Sequence, residues 1–512
     1  MKAITKKICL FLFIAISFLA CKKDLSSLDN NKIDGVVVDA TGTDVLNVFQ
    51  FDHLVVKPKI TTSLKETDLT YEWRINIIPS DTTSLILGTT KDLDAEIRLK
   101  PNNSLDYHQL KYIITDKSTG LKYITVWKVN VRNSIGEGLV IAETSADGIS
   151  SDISHIMSPL VTPDYASESI KRHVYSAING KTIPGLIKEM LYTNVANANS
   201  IIATTPTSIT TIRTLDYTFS AANDDLFFGH VGTYKPEAIY KVKQSEVYVE
   251  NGKMAGSYLS ITKKFGLPFD FKYQVPGQLA INAYSDDVKV AANFYDEKNG
   301  YFVYMPSVST YGDRTMYPYP SISGGAFNPG NLPNKLNIAA GVGVGEDILH
   351  VLKDKTTGKL ELYVLDKGGF NSDDWVTIPP TPKAFYDMSN APGINEATKF
   401  VLLDNQKVLY YATANKIYAM LYGDATPTFQ ERYTLTAGET IGTLQIYRQS
   451  DYPYGELYLP TNNKQLIMST YNGTEGKLYI MPMINIGIGN IDLPNIKSYG
   501  GFGKITAITT QK

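Results

Sequence analysis

Short runs in which apolar and polar residues alternate, separated by clusters of turn-forming residues, make up most of the chain after residue 33. The runs are about four to eight residues long and rich in β-branched and aromatic side chains, which is typical of strands. Over residues 33–133 they include VLNVFQFDHLVV, LTYEWRINI, QLKYIITD and LKYITVWKVNV. This part of the chain is therefore predicted to form one β-sandwich.

Trp73 lies within LTYEWRI, at the place where an immunoglobulin-like sandwich keeps a tryptophan on a central strand. The segment has no cysteine pair to bridge its two sheets, so Trp73 must fill the space between them by itself. We predict a core position for Trp73. Asp116–Gly120 is a five-residue connection that carries glycine, and it predicts a hairpin between the last two strands.

Residues 137–512 repeat one unit, a strand followed by a tight turn and a second strand, after a short linker at 133–137. Asn251-Gly252, Asn299-Gly300 and Thr357-Gly358 are turn signals of this kind. At about 50 residues for each blade and its loops, this length corresponds to about seven blades. The predicted fold class is all-β, an immunoglobulin-like sandwich followed by a large antiparallel domain with the layout of a seven-bladed β-propeller.

Two further elements of the large domain are predicted from local sequence. TIPGLIKEMLYT, residues Thr182 to Thr193, has a helical pattern of apolar residues and is expected on a connecting loop. GGFGKITAITT, near residue 512, is expected to supply the strand that closes the ring of sheets onto the first one.

The N-terminus has the layout of a secretory signal. Three lysines precede Ile8 to Ala20, an apolar run too short to span a bilayer, and Cys21 follows. Leu19-Ala20-Cys21 resembles the end of a bacterial lipobox. We therefore predict a lipoprotein signal peptide over residues 1–20, acyl chains on Cys21 that anchor the protein in a membrane, and a flexible tether over residues 21–32.

Composition narrows the classes of function. The formal net charge is −2, so there is no electrostatic footprint for nucleic acid or for an anionic membrane surface. Cys9 and Cys21 are the two cysteines, and after cleavage no pair remains for a disulfide or a cysteine metal site. The chain has 34 tyrosines against 3 tryptophans, which favours sheets with solvated faces.

The lipobox, the segments LTYEWRI, LDYHQLKYIITDKSTGLKY and VWKVNV, and the segment GEGLVIAETSADG together resemble the PKD-like lipoproteins of Bacteroidetes-type bacteria. In that family a lipidated N-terminus is followed by a PKD/Ig-like module and a long β-rich region. Such lipoproteins are often encoded beside outer-membrane importers of the starch-utilisation type. The resemblance implies anchoring in the outer membrane, exposure at the cell surface, and nutrient capture for an importer.

No catalytic, metal or cofactor signature emerges from the motifs. The six histidines have no ligand spacing, and neither H-E-x-x-H nor G-x-S-x-G occurs. Gly341-Val342-Gly343-Val344-Gly345 lacks a third glycine at the spacing that a nucleotide loop requires, and no helix follows it, so a turn is expected. Adjacent acids such as Asp224-Asp225 point to opposite faces of a strand and make poor acid/base pairs.

Aromatic residues in loops rich in glycine and proline are the candidate ligand-binding residues, because they present flat faces on which a sugar ring can stack. They are Tyr317, Tyr319, Trp375, Tyr452 and Tyr454. The alternative is that these side chains pack loops against the rim of the domain.

The leading hypothesis is a membrane-anchored, extracytoplasmic binding lipoprotein without enzymatic activity. It would capture a glycan or another nutrient for an outer-membrane importer. Two alternatives remain open at this point: a propeller enzyme that acts on polysaccharide through carboxylates in a central channel, and a structural or adhesive partner of the importer.

Overall fold

The computed structural model describes residues 35–40, 44–102, 106–163, 165, 168–194, 199–242, 245–257, 264–269, 272–282, 290–306, 315–453 and 459–512. The chain divides into two compact units, Met1–Arg132 and Asn133–Lys512. The boundary falls at the start of the NSIGE segment. Cys21, the signal peptide and the tether lie outside the described residues. So does Tyr454.

The first unit consists of three sheets that share one core. Its strands are β1 (Val37–Asp39), β2 (Val45–Phe49), β3 (His53–Val56), β4 (Lys59–Thr61), β5 (Leu69–Asn76), β6 (Ser84–Gly88), β7 (Leu93–Glu96), β8 (His108–Asp116) and β9 (Lys122–Arg132). A five-stranded sheet has the order β2-β9-β8-β5-β6, and β1-β4 and β3-β7 form two-stranded sheets. β2 runs parallel to β9, and the other pairs are antiparallel.

Trp73 is the centre of this core, which confirms the core position predicted for it. The side chain is fully buried, and its ring stacks on that of Tyr112 with the centroids 3.9 Å apart. The Trp127 ring lies 5.7 Å away on β9, which is separated from β5 by β8, and the indole N–H of Trp73 donates to the carbonyl oxygen of Thr90 at 2.9 Å. The indole is therefore packed on its faces and satisfied at its one polar atom.

The described residues of the second unit form 32 strands and one short α-helix. The strands are β10 (Gly138–Thr144), β11 (Ser150–Met157), β12 (Ser169–Lys171), β13 (Ile183–Pro184), β14 (Glu189–Thr193), β15 (Ser200–Thr205), β16 (Ser208–Arg213), β17 (Phe219–Ala222), β18 (Pro236–Val242), β19 (Ser245–Glu250), β20 (Lys253–Ser257), β21 (Phe265–Pro268), β22 (Ala280–Ile281), β23 (Val290–Asp296), β24 (Tyr301–Pro306), β25 (Tyr317–Pro318), β26 (Lys335–Val342), β27 (Ile348–Asp354), β28 (Leu360–Leu365), β29 (Gly369–Asn371), β30 (Val376–Ile378), β31 (Pro382–Asp387), β32 (Lys399–Leu402), β33 (Val408–Ala412), β34 (Lys416–Leu421), β35 (Thr428–Thr434), β36 (Thr440–Ile446), β37 (Gln465–Tyr471), β38 (Gly476–Ile484), β39 (Asn490–Ile491), β40 (Lys497–Phe502) and β41 (Ile505–Gln511). The helix, α1, is Val174–Asn179.

These strands form antiparallel sheets that follow one another along the chain. The described residues contain seven sheets of four or five strands: β41-β10-β11-β12 with β13, β14-β15-β16-β17, β18-β19-β20-β21, β22-β23-β24-β25, β26-β27-β28-β31, β32-β33-β34-β35, and β36-β37-β38-β40 with β39. The hairpin β29-β30 is inserted before the last strand of the fifth sheet. The all-β class predicted from the alternation pattern is confirmed.

The first strands of successive sheets contact one another in chain order, from β14 through β18, β22, β26, β32 and β36. The last strand, β41, contacts both β36 and β14. It pairs antiparallel with β10, from Gly138 opposite Gln511 to Glu143 opposite Ile505. The strand predicted in the C-terminal segment is confirmed, and it pairs with the first strand of this unit.

The predicted hairpin turns are confirmed. Asn251 and Gly252 both have positive φ, 50° and 69°, and they connect β19 to β20. Gly300 and Gly358, with φ of 74° each, lie in the turns that join β23 to β24 and β27 to β28. Glycine suits these positions because it has no Cβ to clash in the left-handed region.

The helix predicted over Thr182–Thr193 is wrong. This segment contains β13 and β14, and α1 lies before it. Pro184 lacks an N–H, and Gly185 has a φ of 85°, so the segment starts with two residues that oppose a helix. The rest pairs with β15 along five residues, and this ladder overrides the helical spacing of its apolar residues.

No helix among the described residues combines the length and the apolar character needed to span a bilayer.

Replacing Trp73 by alanine should lower the free energy of unfolding of the first unit by about 3–5 kcal/mol, because it removes a fully buried ring and leaves a cavity. Chemical denaturation followed by far-UV circular dichroism measures this loss. Trp375→Ala is the matched control, since Trp375 is 79% exposed. Equal stability of Trp73→Ala and wild type would contradict the central packing role of Trp73.

Candidate functional site

A pocket of about 350 Å³ opens on strands β19, β20 and β21, in the third sheet of the second unit. We call it the rim pocket. It is lined by Phe227, Gly229, His230, Val231, Tyr248, Glu250, Asn251, Lys253, Met254, Ala255, Gly266, Leu267 and Pro268. Its volume lies at the lower end of the range usual for small-molecule sites.

One wall of the rim pocket is a sheet face created by strand alternation. Tyr248 and Glu250 are two residues apart on β19, so their side chains leave the same face. The register places Ala255 opposite Tyr248 and Lys253 opposite Glu250, and it places Pro268 opposite Ala255. The turn between β19 and β20 therefore brings an aromatic and a carboxylate side chain to one end of the wall.

The opposite wall is the loop that follows β17. Phe227 pairs with Phe265 of β21 in an isolated parallel bridge, and the N–H of Phe228 donates to the carbonyl oxygen of Phe265 at 3.0 Å. The Phe227 ring lies 5.2 Å from that of Phe265 and 5.4 Å from that of Tyr248. This aromatic contact holds the loop against the sheet.

The polar centre of the pocket is a histidine and carboxylate pair. His230 Nε2 lies 2.7 Å from Glu250 Oε2, and the two side chains are only 9% and 12% exposed. The His230 ring stacks on Tyr234 with the centroids 3.8 Å apart. The second carboxylate oxygen of Glu250 accepts the backbone N–H of Lys235. Glu250 is thus fixed from two sides by the loop that covers it.

The hydroxyl of Tyr248 is the unsatisfied group of this site. It is buried and makes no hydrogen bond of normal geometry with the described residues. Burial and then the neighbouring Glu250 carboxylate raise the pKa of Tyr248 far above its usual range, so the hydroxyl keeps its proton. A buried hydroxyl without a partner costs free energy unless something binds it.

The lip of the rim pocket is apolar and exposed to solvent. Val231 is 98% exposed, Leu267 65% and Phe228 58%. Val231 and Leu267 line the pocket on its two opposite walls, around an entrance that leads to the buried Phe227 and Tyr248 rings, and Phe228 lies next to Phe227 in the chain. Clustered exposed apolar side chains beside a concavity are characteristic of a binding site.

The four predicted aromatic residues that the structure describes, Tyr317, Tyr319, Trp375 and Tyr452, are not among the residues that line the rim pocket. Tyr319 is 4% exposed, and its hydroxyl accepts an N–H of Asn293. Its proposed role as a stacking surface for a ligand is therefore wrong, because its ring packs in the core. Tyr317, 39% exposed on β25, stacks on Tyr304 with the centroids 5.6 Å apart.

Trp375 and Tyr452 differ in their surroundings. Trp375 is 79% exposed at the tip of the β29-β30 hairpin, with Phe370 at 5.8 Å. Tyr452 is half-buried; Arg448 lies over its ring at 5.5 Å, and its hydroxyl lies 3.1 Å from a carboxylate oxygen of Asp404. Of the described candidates, Tyr317 and Trp375 thus keep exposed rings.

Sequence reasoning missed the rim pocket because its polar pair is 20 residues apart and joined only by tertiary contact. Two signals were present. The loop FFGHVGTY concentrates aromatic residues around His230, and Tyr248 and Glu250 alternate on a strand that leads into an Asn-Gly turn. Within the described part of the chain, no group of three or more histidine, cysteine, aspartate or glutamate side chains could hold a metal ion.

Residues 21–186 match the PKD-like family. This confirms the PKD-like part of the resemblance, over about a third of the chain. No curated protein matches the chain in sequence.

The solved structures that match the chain share little of its sequence. The match to dihydro-heme d1 dehydrogenase NirN has 8% identity and a TM-score of 0.37, and it covers 78% of this chain and 72% of the NirN chain. The Cps50 (Swd1) β-propeller domain of Myceliophteria thermophila is 12% identical, with coverage of 61% and 85% and a TM-score of 0.35. The Dos1 propeller is 7% identical, with coverage of 80% and 93% and a TM-score of 0.35.

Tyr248→Phe should leave the free energy of unfolding unchanged or raise it by up to about 1 kcal/mol, because it removes a buried hydroxyl that has no partner. Tyr295→Phe is the matched control. The Tyr295 hydroxyl donates to the carbonyl oxygen of Leu332 at 2.6 Å, so its removal should cost about 1 kcal/mol. Denaturant titration of both variants measures the difference, and a larger loss for Tyr248→Phe would show that its hydroxyl is satisfied.

Proposed function

We propose that the chain is a lipid-anchored binding protein of the outer membrane that captures a small nutrient at the rim pocket. The observation that carries this proposal is the pocket itself, an apolar cavity with a buried His230–Glu250 pair and an unsatisfied Tyr248 hydroxyl. Apolar walls supply affinity, and a few fixed polar groups supply orientation. The ligand is passed to an outer-membrane importer of the starch-utilisation type.

The proposed framework for the site is a seven-bladed β-propeller preceded by a PKD/Ig-like β-sandwich. Seven antiparallel sheets, contacts between their first strands, and the pairing of β41 with β10 support the propeller. In this arrangement β18 is an inner strand and β21 the outer strand of its blade. The rim pocket then faces outward, where a partner or ligand reaches it without entering the ring.

The anchoring part of the proposal rests on Cys21, which would carry the acyl chains. Cys21→Ser should convert a membrane protein into a soluble or uncleaved one, since both the thioether and the new N-terminus depend on this residue. Detergent phase partitioning of cell fractions measures the change. Ser27→Ala, within the tether, serves as the control. A Cys21→Ser protein that still partitions with membranes would refute lipid anchoring.

The binding part is tested with a neutral probe that does not prejudge the charge of the ligand. 2-Phenylethanol should raise the midpoint of thermal unfolding of the full chain, because a ligand that binds only the folded state stabilises it. Ala255→Phe should abolish this shift, since Ala255 lines the pocket and the larger ring fills it. Ala437→Phe, at an exposed position, should retain the shift.

Maltooligosaccharides provide the alternative arm of the same experiment. Stabilisation by these glycans that persists in Ala255→Phe would locate glycan capture elsewhere on the chain. A shift with 2-phenylethanol that Ala255→Phe retains would refute the rim pocket as the ligand site.

A further inference from the structure

We propose that the rim pocket selects a cationic ligand with an apolar body, namely a protonated amine attached to a single aromatic or branched aliphatic group. This inference rests on the proposed function, since it names the class of ligand for the same pocket.

The carboxylate of Glu250 is the anchor for the cation. His230 Nε2 and the backbone N–H of Lys235 each occupy one carboxylate oxygen. A carboxylate has about four acceptor positions, so it can take further donors from a ligand. Because Glu250 is an acceptor, His230 donates its Nε2–H to this carboxylate.

Aromatic rings around Glu250 add to the preference for a cation. Phe227 lies 5.4 Å from Tyr248 and 5.3 Å from His230, so two aromatic residues and the imidazole surround the space beside the carboxylate. The negative face of an aromatic ring attracts an ammonium group, and the attraction grows where water is excluded. The hydroxyl oxygen of Tyr248 offers a further lone pair to an N–H donor.

The charges near the pocket favour a cation over an anion. The carboxylate of Asp224 accepts the hydroxyl of Tyr234, whose ring stacks on His230. The carboxylates of Glu250 and Glu237 both contribute to the raised pKa of Tyr248. Lys253 is the lysine that lines the pocket, and its ammonium group donates to the carbonyl oxygen of Tyr273 at 3.5 Å. An anionic ligand would face Glu250 in a site of low dielectric constant, which is unfavourable.

The size and the entrance of the pocket define the apolar part of the ligand. A cavity of about 350 Å³ accommodates one ring with a short chain. Val231 and Leu267 flank the entrance, so the end of the ligand that remains near the surface is also in contact with apolar side chains. The amine therefore enters first and meets Glu250.

The test compares three probes that share a phenyl group and differ in charge: phenethylamine, 2-phenylethanol and phenylacetate. Isothermal titration calorimetry on the full chain should give a dissociation constant for phenethylamine at least about tenfold lower than that for 2-phenylethanol, because a charge-assisted hydrogen bond replaces a neutral one. Phenylacetate should bind more weakly than either.

Glu250→Gln should remove the preference for the amine, with about a tenfold loss of phenethylamine affinity and little change for 2-phenylethanol. Asp374→Asn is the matched control. It removes one negative charge on the β29-β30 hairpin and should leave the preference intact. If Glu250→Gln does not fold, wild-type protein still provides a test: raising the ionic strength should weaken binding of the amine and leave that of the alcohol unchanged.

Equal affinities for the amine and the alcohol would overturn the inference and leave the proposed binding function standing. So would a preference for the amine that Glu250→Gln retains. Failure of all three probes to bind would overturn both the inference and the use of the rim pocket. A preference that Glu250→Gln abolishes and Asp374→Asn keeps would support the inference.

Discussion

The pairing of β41 with β10 is the contact on which the second unit depends. It joins residues that are more than 360 positions apart, and it is reinforced by side chains. The carboxylate of Glu143 accepts the N–H of Gly503 at 2.7 Å and the hydroxyl of Ser154. Burial alone would raise the pKa of Glu143, but hydrogen bonds from His173, Ser154 and Gly503 lower it, so the carboxylate stays ionised.

Local geometry at this closure leaves little freedom. A side chain at Gly503 would collide with the carbonyl oxygen of Thr144, so only glycine allows the two strands to approach here. The guanidinium of Arg172 lies 4.2 Å above the Phe502 ring and donates to the carbonyl oxygen of Gly501 at 2.9 Å. These contacts bind the end of the chain to its first sheet, and they remove two strand edges that would otherwise be exposed.

A buried network around Asn293 shows how polar groups pair inside the second unit. The side-chain oxygen of Asn293 lies 2.7 Å from His350 Nε2, and the side-chain N–H of Asn293 donates to the hydroxyl of Tyr319. Burial lowers the pKa of His350 to about 3, so this network is held together by neutral groups. The hydroxyl of Tyr248 makes no hydrogen bond of normal geometry with the described residues, and it lies beside the Glu250 carboxylate and an open cavity. A ligand in the cavity can supply a hydrogen bond to such a group.

Local sequence determined the strands, the tight turns and the core position of Trp73, because alternation, Asn-Gly pairs and the burial of a large aromatic ring act over a few residues. It also identified the C-terminal strand, although it could not name β10 as the partner. It failed at Thr182–Thr193, where pairing with β15 outweighed helical spacing. It failed again at Tyr319, where neighbouring glycine and proline suggested a loop but Asn293 and Phe302 enclose the ring. Only the tertiary structure brought His230 to Glu250 and left the Tyr248 hydroxyl without a hydrogen bond of normal geometry. Contacts between a loop and a sheet face depend on how two walls pack, and no periodicity along the chain records that.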